Sequence, residues 1–487
     1  MKKKNLQISI FLLIIFIFFF VFFYKIHPIT IFDTDDWLYT FASRRAIPLI
    51  NEWNPTRILP EILMPFVSSL SSVVIFPLTG DYIVALTIMH SIAVSLSITI
   101  YTYCFIELIK KIFKTDNYLS ICISIIFLML HFLIFRSQYD NNEYMFIATN
   151  ACCYYYYTIP ALLNCSLVMY FLTNDSINKS NNILKKSLII LLCYLAIFSN
   201  LFQSIILAAF SFSLMVFEFI ESKYKFNIKE IIKFIKQKIG YFLIILSWGL
   251  SQILEINGGR AKSLASNNSF ISSIGETLSN LFNIRGKLNG TFIWILIITI
   301  ITLVIITIKK KLYKNKYVLT LAFTTIIVFI YLILVSSKSG PSYITRPDVL
   351  LGLVFFIFVA ITVVLTLVSK KFKIASMILP LLILIMFFEI NTSGKTFKES
   401  NILNLSPESC LKIDNIIINQ IKDAVNLEKD EATIYIPKFE SETNDNWPIA
   451  TYGIDRITSS LYKHGVIKRN IKVNYEFSDE LYKGILR

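Results

Sequence analysis

Apolar residues in this chain come in long uninterrupted runs, not in the two- or four-residue alternations of elements that face a core on one side only. A helix needs about 20 mainly apolar residues to cross about 30 Å of hydrocarbon. Eleven windows approach that requirement: Ile8–Tyr24, Ile83–Leu108, Tyr118–Phe135, Ala151–Leu172, Ser187–Ser199, Phe202–Phe219, Gly240–Leu254, Thr291–Ile308, Val318–Val335, Leu350–Val368 and Ile374–Phe388. The pattern predicts an all-α polytopic membrane protein with about eleven transmembrane helices. The first window follows Lys2, Lys3 and Lys4 and lacks a small-residue cleavage site, so it reads as a retained anchor with a cytoplasmic N-terminus.

Basic residues fall in short clusters between the apolar runs: Lys110, Lys111 and Lys114; Lys179, Lys185 and Lys186; Lys223 to Lys238; Lys309 to Lys316; and Lys370, Lys371 and Lys373. Alternating the eleven windows puts all of these on the same side as the N-terminal lysines, which is the side that positive charge marks as cytoplasmic. One stretch breaks the scheme. Leu59–Leu78 is apolar, but it carries Pro60, Pro65, Pro77 and four serines, and counting it as a crossing would reverse every later cluster. It is read as helix lying in, or re-entering, the outer interface. Residues 223–238 interleave lysines with Phe226, Ile228, Ile231, Ile232 and Ile235, the pattern of an amphipathic helix on an anionic membrane face.

With an odd number of crossings the C-terminus lies opposite the N-terminus. The expected division is a membrane domain, residues 1–390, whose first outer loop spans 25–81, and an extracytoplasmic α+β domain, residues 391–487. In the latter, Ser406 and Pro407 are suited to the cap and first position of a helix reaching Val425, and Thr433–Pro437 and Ile471–Tyr475 read as strands.

Composition agrees. Of 487 residues 55% are hydrophobic and only 16% charged, and the mean hydropathy of +0.63 excludes a water-soluble enzyme. The formal charge of +15 is explained by the topology clusters, so nucleic acid is not an expected partner. Seven cysteines show no metal-ligand spacing, and the vicinal pair Cys152–Cys153 is assigned no role.

Polar residues on the outer side gather in four segments: Asp33–Glu61, Arg136–Asn150, Glu255–Lys287 and Lys338–Asp348. The first holds Asp33, Asp35 and Asp36, three carboxylates in four positions, which repel one another unless a cation, a shared proton or nearby arginines intervene. Such a group suits a general base, and the Asp33-x-Asp35 spacing offers oxygen ligands to Mg or Mn. Its bland alternative is a turn that caps the next helix. Arg44, Arg45 and Arg57 in the same loop, with Arg260, Lys338 and Arg346 in later ones, have the chemistry to grip a phosphate. Asp140, Glu143, Tyr154 and Tyr155 are the candidate sugar contacts, because pyranose faces pack on aromatic rings; an ordinary interfacial belt has the same composition. Gly258-Gly259 permits a backbone cradle for an anion.

This layout, with an acidic motif directly after the first helix, interfacial helices in that loop, about eleven spans and an outer C-terminal domain, resembles the GT-C superfamily of integral-membrane glycosyltransferases. It is most similar to the bacterial enzymes that modify O-antigen, including serotype-converting glucosyltransferases. The resemblance implies an inner-membrane hexosyltransferase that moves a sugar, glucose in those enzymes, from a polyprenyl phosphate to a surface polysaccharide or lipid-linked glycan. One outer-loop aspartate would be the base, and arginines or lysines of later loops would hold the lipid phosphate. A polysaccharide polymerase or ligase, and a flippase or transporter, are the other classes to be tested.

Overall fold

The computed structural model describes residues 2–136, 143–174, 182–222, 224, 226–263, 269–309, 311, 315–392, 397, 403, 405–441 and 444–485. Among these, ten helices are long and apolar enough to cross a membrane. Nine of them coincide with expected windows: Leu6–Ile26, Tyr82–Phe113, Ala151–Thr173, Leu201–Glu221, Ile239–Ile256, Gly290–Lys309, Lys316–Ser339, Pro347–Lys371 and Ile374–Thr392. Two other expected windows form shorter helices, Asn117–Leu133 with 17 residues and Ile183–Ile197 with 15. At 1.5 Å per residue they extend about 25 and 22 Å, short of a full hydrocarbon layer.

The tenth long helix is the proline- and serine-rich stretch, Ile58–Thr79. Length and composition qualify it as a span, but its ends do not lie at opposite ends of the bundle. Arg57, just before it, stacks on Tyr156 at 5.2 Å, and Tyr156 packs on Tyr39 at 5.0 Å. Tyr82, just after it, lies 6.5 Å from Trp37. Trp37 and Tyr39 both belong to the eight-residue helix Thr34–Phe41, so the chain leaves and rejoins the same layer. Midway, Ser68 bonds its own Met64 carbonyl and reaches the buried His90. Ser69 and Ser72 likewise bond helix carbonyls, so small polar residues let the helix pack against its neighbour with these hydroxyls satisfied locally, while the buried Ser71 hydroxyl has no partner among the described residues.

Lysine clusters gather at the other end. Lys111 contacts Asn174, Lys370 reaches the carbonyl of Phe113, and Lys238 and Lys316 share Glu218. The basic stretch forms the strongly amphipathic helix Ile228–Gln237, capped by Asn227.

After the last long helix comes a small module. Ser406 caps helix Pro407–Asn426. Strand β1 (Glu431–Ile436) then pairs in parallel with β2 (Lys472–Phe477), Glu431 opposite Lys472 through Ile436 opposite Phe477. Helix Ile454–Lys463 makes the crossover between them, as a parallel pair requires.

Candidate functional site

The acidic motif begins as a capping device. Asp33 has extended backbone, φ −75° and ψ 144°, and its Oδ1 accepts the N–H of Asp35 at 3.2 Å, capping helix Thr34–Phe41. Asp36 reaches back, Oδ2 accepting the N–H of Asp33 at 3.3 Å and of Phe32 at 3.4 Å. A second helix start, at Ala151, points at the same side chain: Cys152 N donates to Asp36 Oδ1 at 2.6 Å and Ala151 N to Oδ2 at 3.4 Å. Asn150 caps that second helix through Cys153 N at 3.0 Å and donates from Nδ2 to Asp33 Oδ2 at 2.8 Å. Two helix N-termini are therefore tied together by Asp33, Asp36 and Asn150, each positive dipole end meeting a carboxylate.

These carboxyls are not equivalent. Asp36 is fully buried behind the wall, and burial, opposed by the Cys152 N–H, pushes its carboxyl up to about 7. Burial lifts Asp33 well above the usual carboxylate range; the charges of Asp36 and Asp35 add to this and Asn150 opposes it. Asp35 is half-exposed, at 47% of its side chain. Of the three, Asp33 and Asp35 line a cavity of about 930 Å³ and Asp36 does not. The capping alternative, with Asp33 or Asp35 as the N-cap, is met by Asp33, and Asp36 closes the capping box.

The C-terminal module is seated directly on this motif. Thr34 N and Oγ1 both donate to the carbonyl of Pro448, at 2.9 and 2.6 Å, and Ala450 N donates to Thr34 Oγ1 at 2.8 Å. Thr40 and Tyr82 meet Ser460 at 2.7 and 3.0 Å, and Tyr82 also bonds His464. Gly453 admits this close approach: a Cβ there would stand 2.2 Å from Thr34 Cγ2. From the same helix Arg456 Nη1 reaches Asp35 Oδ1 at 3.1 Å and the carbonyl of Thr34 at 3.2 Å. Trp447, Tyr452 and Arg456 thereby join the cavity wall. Asp414, on helix Pro407–Asn426, is fully buried, with neither carboxylate oxygen hydrogen-bonded among the described residues. Burial first, and the charge of Asp36 second, hold it well above the usual carboxylate range.

The predicted cations separate into distinct roles. Arg44 is a loop staple: its guanidinium donates to the carbonyls of Asn54 and Pro55 at 2.6 and 3.0 Å and to Glu61 at 3.1 Å. Glu61 in turn accepts from Asn54 and Tyr156. Arg45 is exposed and lies off the cavity. Arg57 is different. It is 6% exposed, its Nε has no partner, and its guanidinium makes no hydrogen bond or ion pair among the described residues beyond stacking on Tyr156. Arg57 lines the polar cavity and also a neighbouring one of about 360 Å³, as do Tyr157, Arg260 and Tyr343. The smaller cavity has an apolar lining, including Phe202, Ile256, Leu334 and Val335, and a rim that includes Lys262 and Lys338. Arg346 forks onto Asp348 at 3.0 and 2.6 Å, stacks on Tyr157 at 4.5 Å and faces the larger cavity.

Several expectations need correction. Tyr154 and Tyr155 are buried, the latter bonded to His90 at 2.6 Å, and it is Tyr156 and Tyr157 that line the cavity. Tyr154–Thr158 form a π-helical turn, in which successive side chains still fan around the axis, so a four-tyrosine run cannot put every ring on one wall. Glu143 pairs with Lys287 at 2.7 Å away from the cavity. Asp140 lies outside the described residues. The Gly258-Gly259 amides are not an anion cradle: Gly259 N and Arg260 N donate to the carbonyls of Glu52 and Trp53 at 3.0 and 3.2 Å, and a Cβ at Gly258 would meet Pro55 at 2.7 Å. Those glycines let the third loop press onto the first. As for Mg or Mn, Asp33 and Asp35 already accept from Asn150 and Arg456, and no group of three or more His, Cys, Asp or Glu that would hold a metal ion occurs among the described residues. The donor set does not fit a divalent cation.

Arg456 and Asn150 were not singled out from the sequence as contacts of the acidic motif. Nothing in spacing links position 456 to position 35; the nearest signal is the aromatic stretch from Trp447 to Tyr452 beside it. No family model matches the chain, and no curated protein or solved structure is significantly similar to it.

Proposed function

We propose that the chain is a membrane-embedded glycosyltransferase that moves a hexose from a polyprenyl-phosphate donor to a surface polysaccharide or lipid-linked glycan. The observation that carries this reading is Arg57: a buried guanidinium with no ion pair or hydrogen bond at contact distance among the described residues, shared by a polar cavity bearing carboxylates and a mainly apolar one lined also by Glu255, Lys262 and Lys338. The charge of Glu255 favours the cation from a distance, but the guanidinium donors make no contact with an acceptor among the described residues, and a substrate phosphate would supply one. A donor whose phosphate joins a hydrocarbon tail to a sugar matches the three environments in order, with the tail among Leu334 and Val335, the phosphate at Arg57 and Arg260, and the sugar toward Asp33 and Asp35.

In this mechanism Asp35 takes the proton of the acceptor hydroxyl as that oxygen attacks the anomeric carbon. The leaving lipid phosphate gains charge and is received by Arg57, with Arg260 and Arg346 adjacent. Asp33 and Asn150 fix the helix that carries Asp35, and Trp447 and Tyr452 offer rings for the acceptor sugar. We assign the cavity to the outer side of a bacterial inner membrane, with the N-terminus and the lysine clusters inside.

Mass spectrometry of surface glycans, comparing cells with and without the protein, tests the reading directly. Loss of a hexose in its absence, and in Asp35→Asn at unchanged membrane abundance, is the expected result. Full modification in each of Asp33→Asn, Asp35→Asn and Arg57→Gln would remove the site from the reaction.

A further inference from the structure

Cys152 and Cys153 stand on the wall of the larger cavity, and the proposed sugar transfer leaves both unused. Cys152 Sγ donates to Asn150 Oδ1 at 3.3 Å, while Cys153 Sγ receives from Thr149 Oγ1 and Arg346 Nη2, each at 3.5 Å. A guanidinium and a hydroxyl aimed at one sulfur are the surroundings in which a cysteine is a nucleophile and not simply a small apolar residue. The other five cysteines line neither cavity.

We propose that this vicinal pair is an oxidisable dithiol, a modification site for small peroxides that enter the cavity. The Cys153 sulfur attacks one peroxide oxygen, the O–O bond breaks, and the departing hydroxide takes up the thiol proton as water, leaving a sulfenic acid. The Cys152 sulfur then attacks the Cys153 sulfur; an S–S bond forms, the S–O bond breaks, and the hydroxyl leaves with the Cys152 proton as a second water. Two thiols are oxidised and one peroxide is reduced to two waters.

Disulfide formation here acts on the acidic motif. Adjacent Cα atoms are about 3.8 Å apart, under the roughly 4.4 Å lower end for bridged cysteines, so the ring closes only if the intervening peptide twists. That peptide's N–H is the one Asn150 accepts at 3.0 Å, and Asn150 is the donor that holds Asp33. Oxidation therefore loosens Asp33 from its support.

The test uses the full chain in detergent. After a hydrogen peroxide pulse the protein is denatured, remaining thiols are alkylated with N-ethylmaleimide, and peptides are weighed. The peptide holding Cys152 and Cys153 is expected to lack both maleimides, to weigh less by two hydrogens, and to recover both thiols after dithiothreitol, while the other cysteines alkylate fully. In Cys152→Ser, dimedone traps a sulfenic acid at Cys153. Arg346→Gln slows the oxidation by roughly tenfold and Arg346→Lys keeps most of the rate, as expected for a cation acting on sulfur. Retention of both maleimides at peroxide doses that oxidise free glutathione overturns the proposal, as does equal oxidation of all seven cysteines. This readout follows thiols alone, so its failure and a failure of the sugar-transfer reading are separate results.

Discussion

Arg456 of the C-terminal module stands 3.1 Å from Asp35 of the first loop, across 421 positions of chain. Ser460, one turn along helix Ile454–Lys463, is bonded to both Thr40 and Tyr82 and holds that helix against the first loop. Removing Arg456 leaves Asp35 without its cation and takes away a wall of the cavity. Arg456→Ala is expected to reduce glycan modification at least tenfold, with Arg456→Lys intermediate because charge returns without the fork. Equal modification in Arg456→Ala and the parent chain, measured by glycan mass spectrometry, would detach the module from the chemistry.

Docking of the module depends on the absence of a side chain at 453. Gly453→Ala drives a methyl group into Thr34 Cγ2, 2.2 Å away, and is expected to lower the thermal midpoint and expose the module to protease. Thr34→Ser deletes that methyl and keeps the Oγ donor, so the double variant regains most of the loss. Contacting residues give such non-additivity and distant ones do not; additive effects would mean the two do not touch.

Arg57 is expected to tolerate loss of charge in the unliganded chain and to need it for turnover. Arg57→Gln removes a buried cation that makes no ion pair at contact distance among the described residues, though the Glu255 charge favours it, so its thermal midpoint is expected to stay close to the parent's. Glycan modification falls at least tenfold, in line with the roughly 1.5–3 kcal/mol of a hydrogen bond to a charged group. A large drop in stability would instead identify Arg57 as a structural residue.

The buried carboxyls Asp36 and Asp414 are expected to contribute less stability as pH rises from about 4 toward 8. Asp36 and Asp414 both hold protons more tightly folded than unfolded, chiefly through burial. Their contribution is complete below the ordinary value of 3.8 and is lost as pH climbs through the folded one, about 7 for Asp36. His27 and His464, each held down to about 4 mainly by burial, work in the opposite sense below their ordinary 6.5, so a variant comparison isolates the carboxyls. Asp414→Asn should raise the thermal midpoint by several degrees at pH 8 and by little at pH 5. The reverse order would show that Asp414 is ionised and paired when folded.

Helix Ile58–Thr79 begins and ends beside helix Thr34–Phe41, so both its flanks are expected to face one side of a membrane. Cysteines at the exposed Ile50 and Thr79 are expected to react with an impermeant maleimide from the same side of sealed vesicles, opposite to one placed at Lys111. Labelling of 50 and 79 from different sides would make this helix a crossing.

Run length determined the helical architecture, with ten helices long and apolar enough to cross a membrane among the described residues, because hydrocarbon thickness and backbone hydrogen bonding leave a chain of this hydropathy few other choices. Local chemistry likewise determined the start of helix Pro407–Asn426, where Ser406 and Pro407 act within one turn, and the two strands of the C-terminal module to within two residues. It was also enough to bring residues 33–61, Asn150, Arg260 and Arg346 to one end of the bundle. What the three aspartates do individually was decided only by tertiary structure: Asp36 is covered by the amides of Ala151 and Cys152, and Asp35 is met by Arg456, partners more than 100 positions away. The same holds for which two tyrosines of four face the cavity, for Arg44 turning inward to Glu61 while Arg57 stays unpaired, and for the glycines at 258 and 259. Hydropathy records how much of a segment lies in an apolar medium; which side chain meets which partner depends on the angular setting and contact of separate helices, and no single stretch of sequence encodes that.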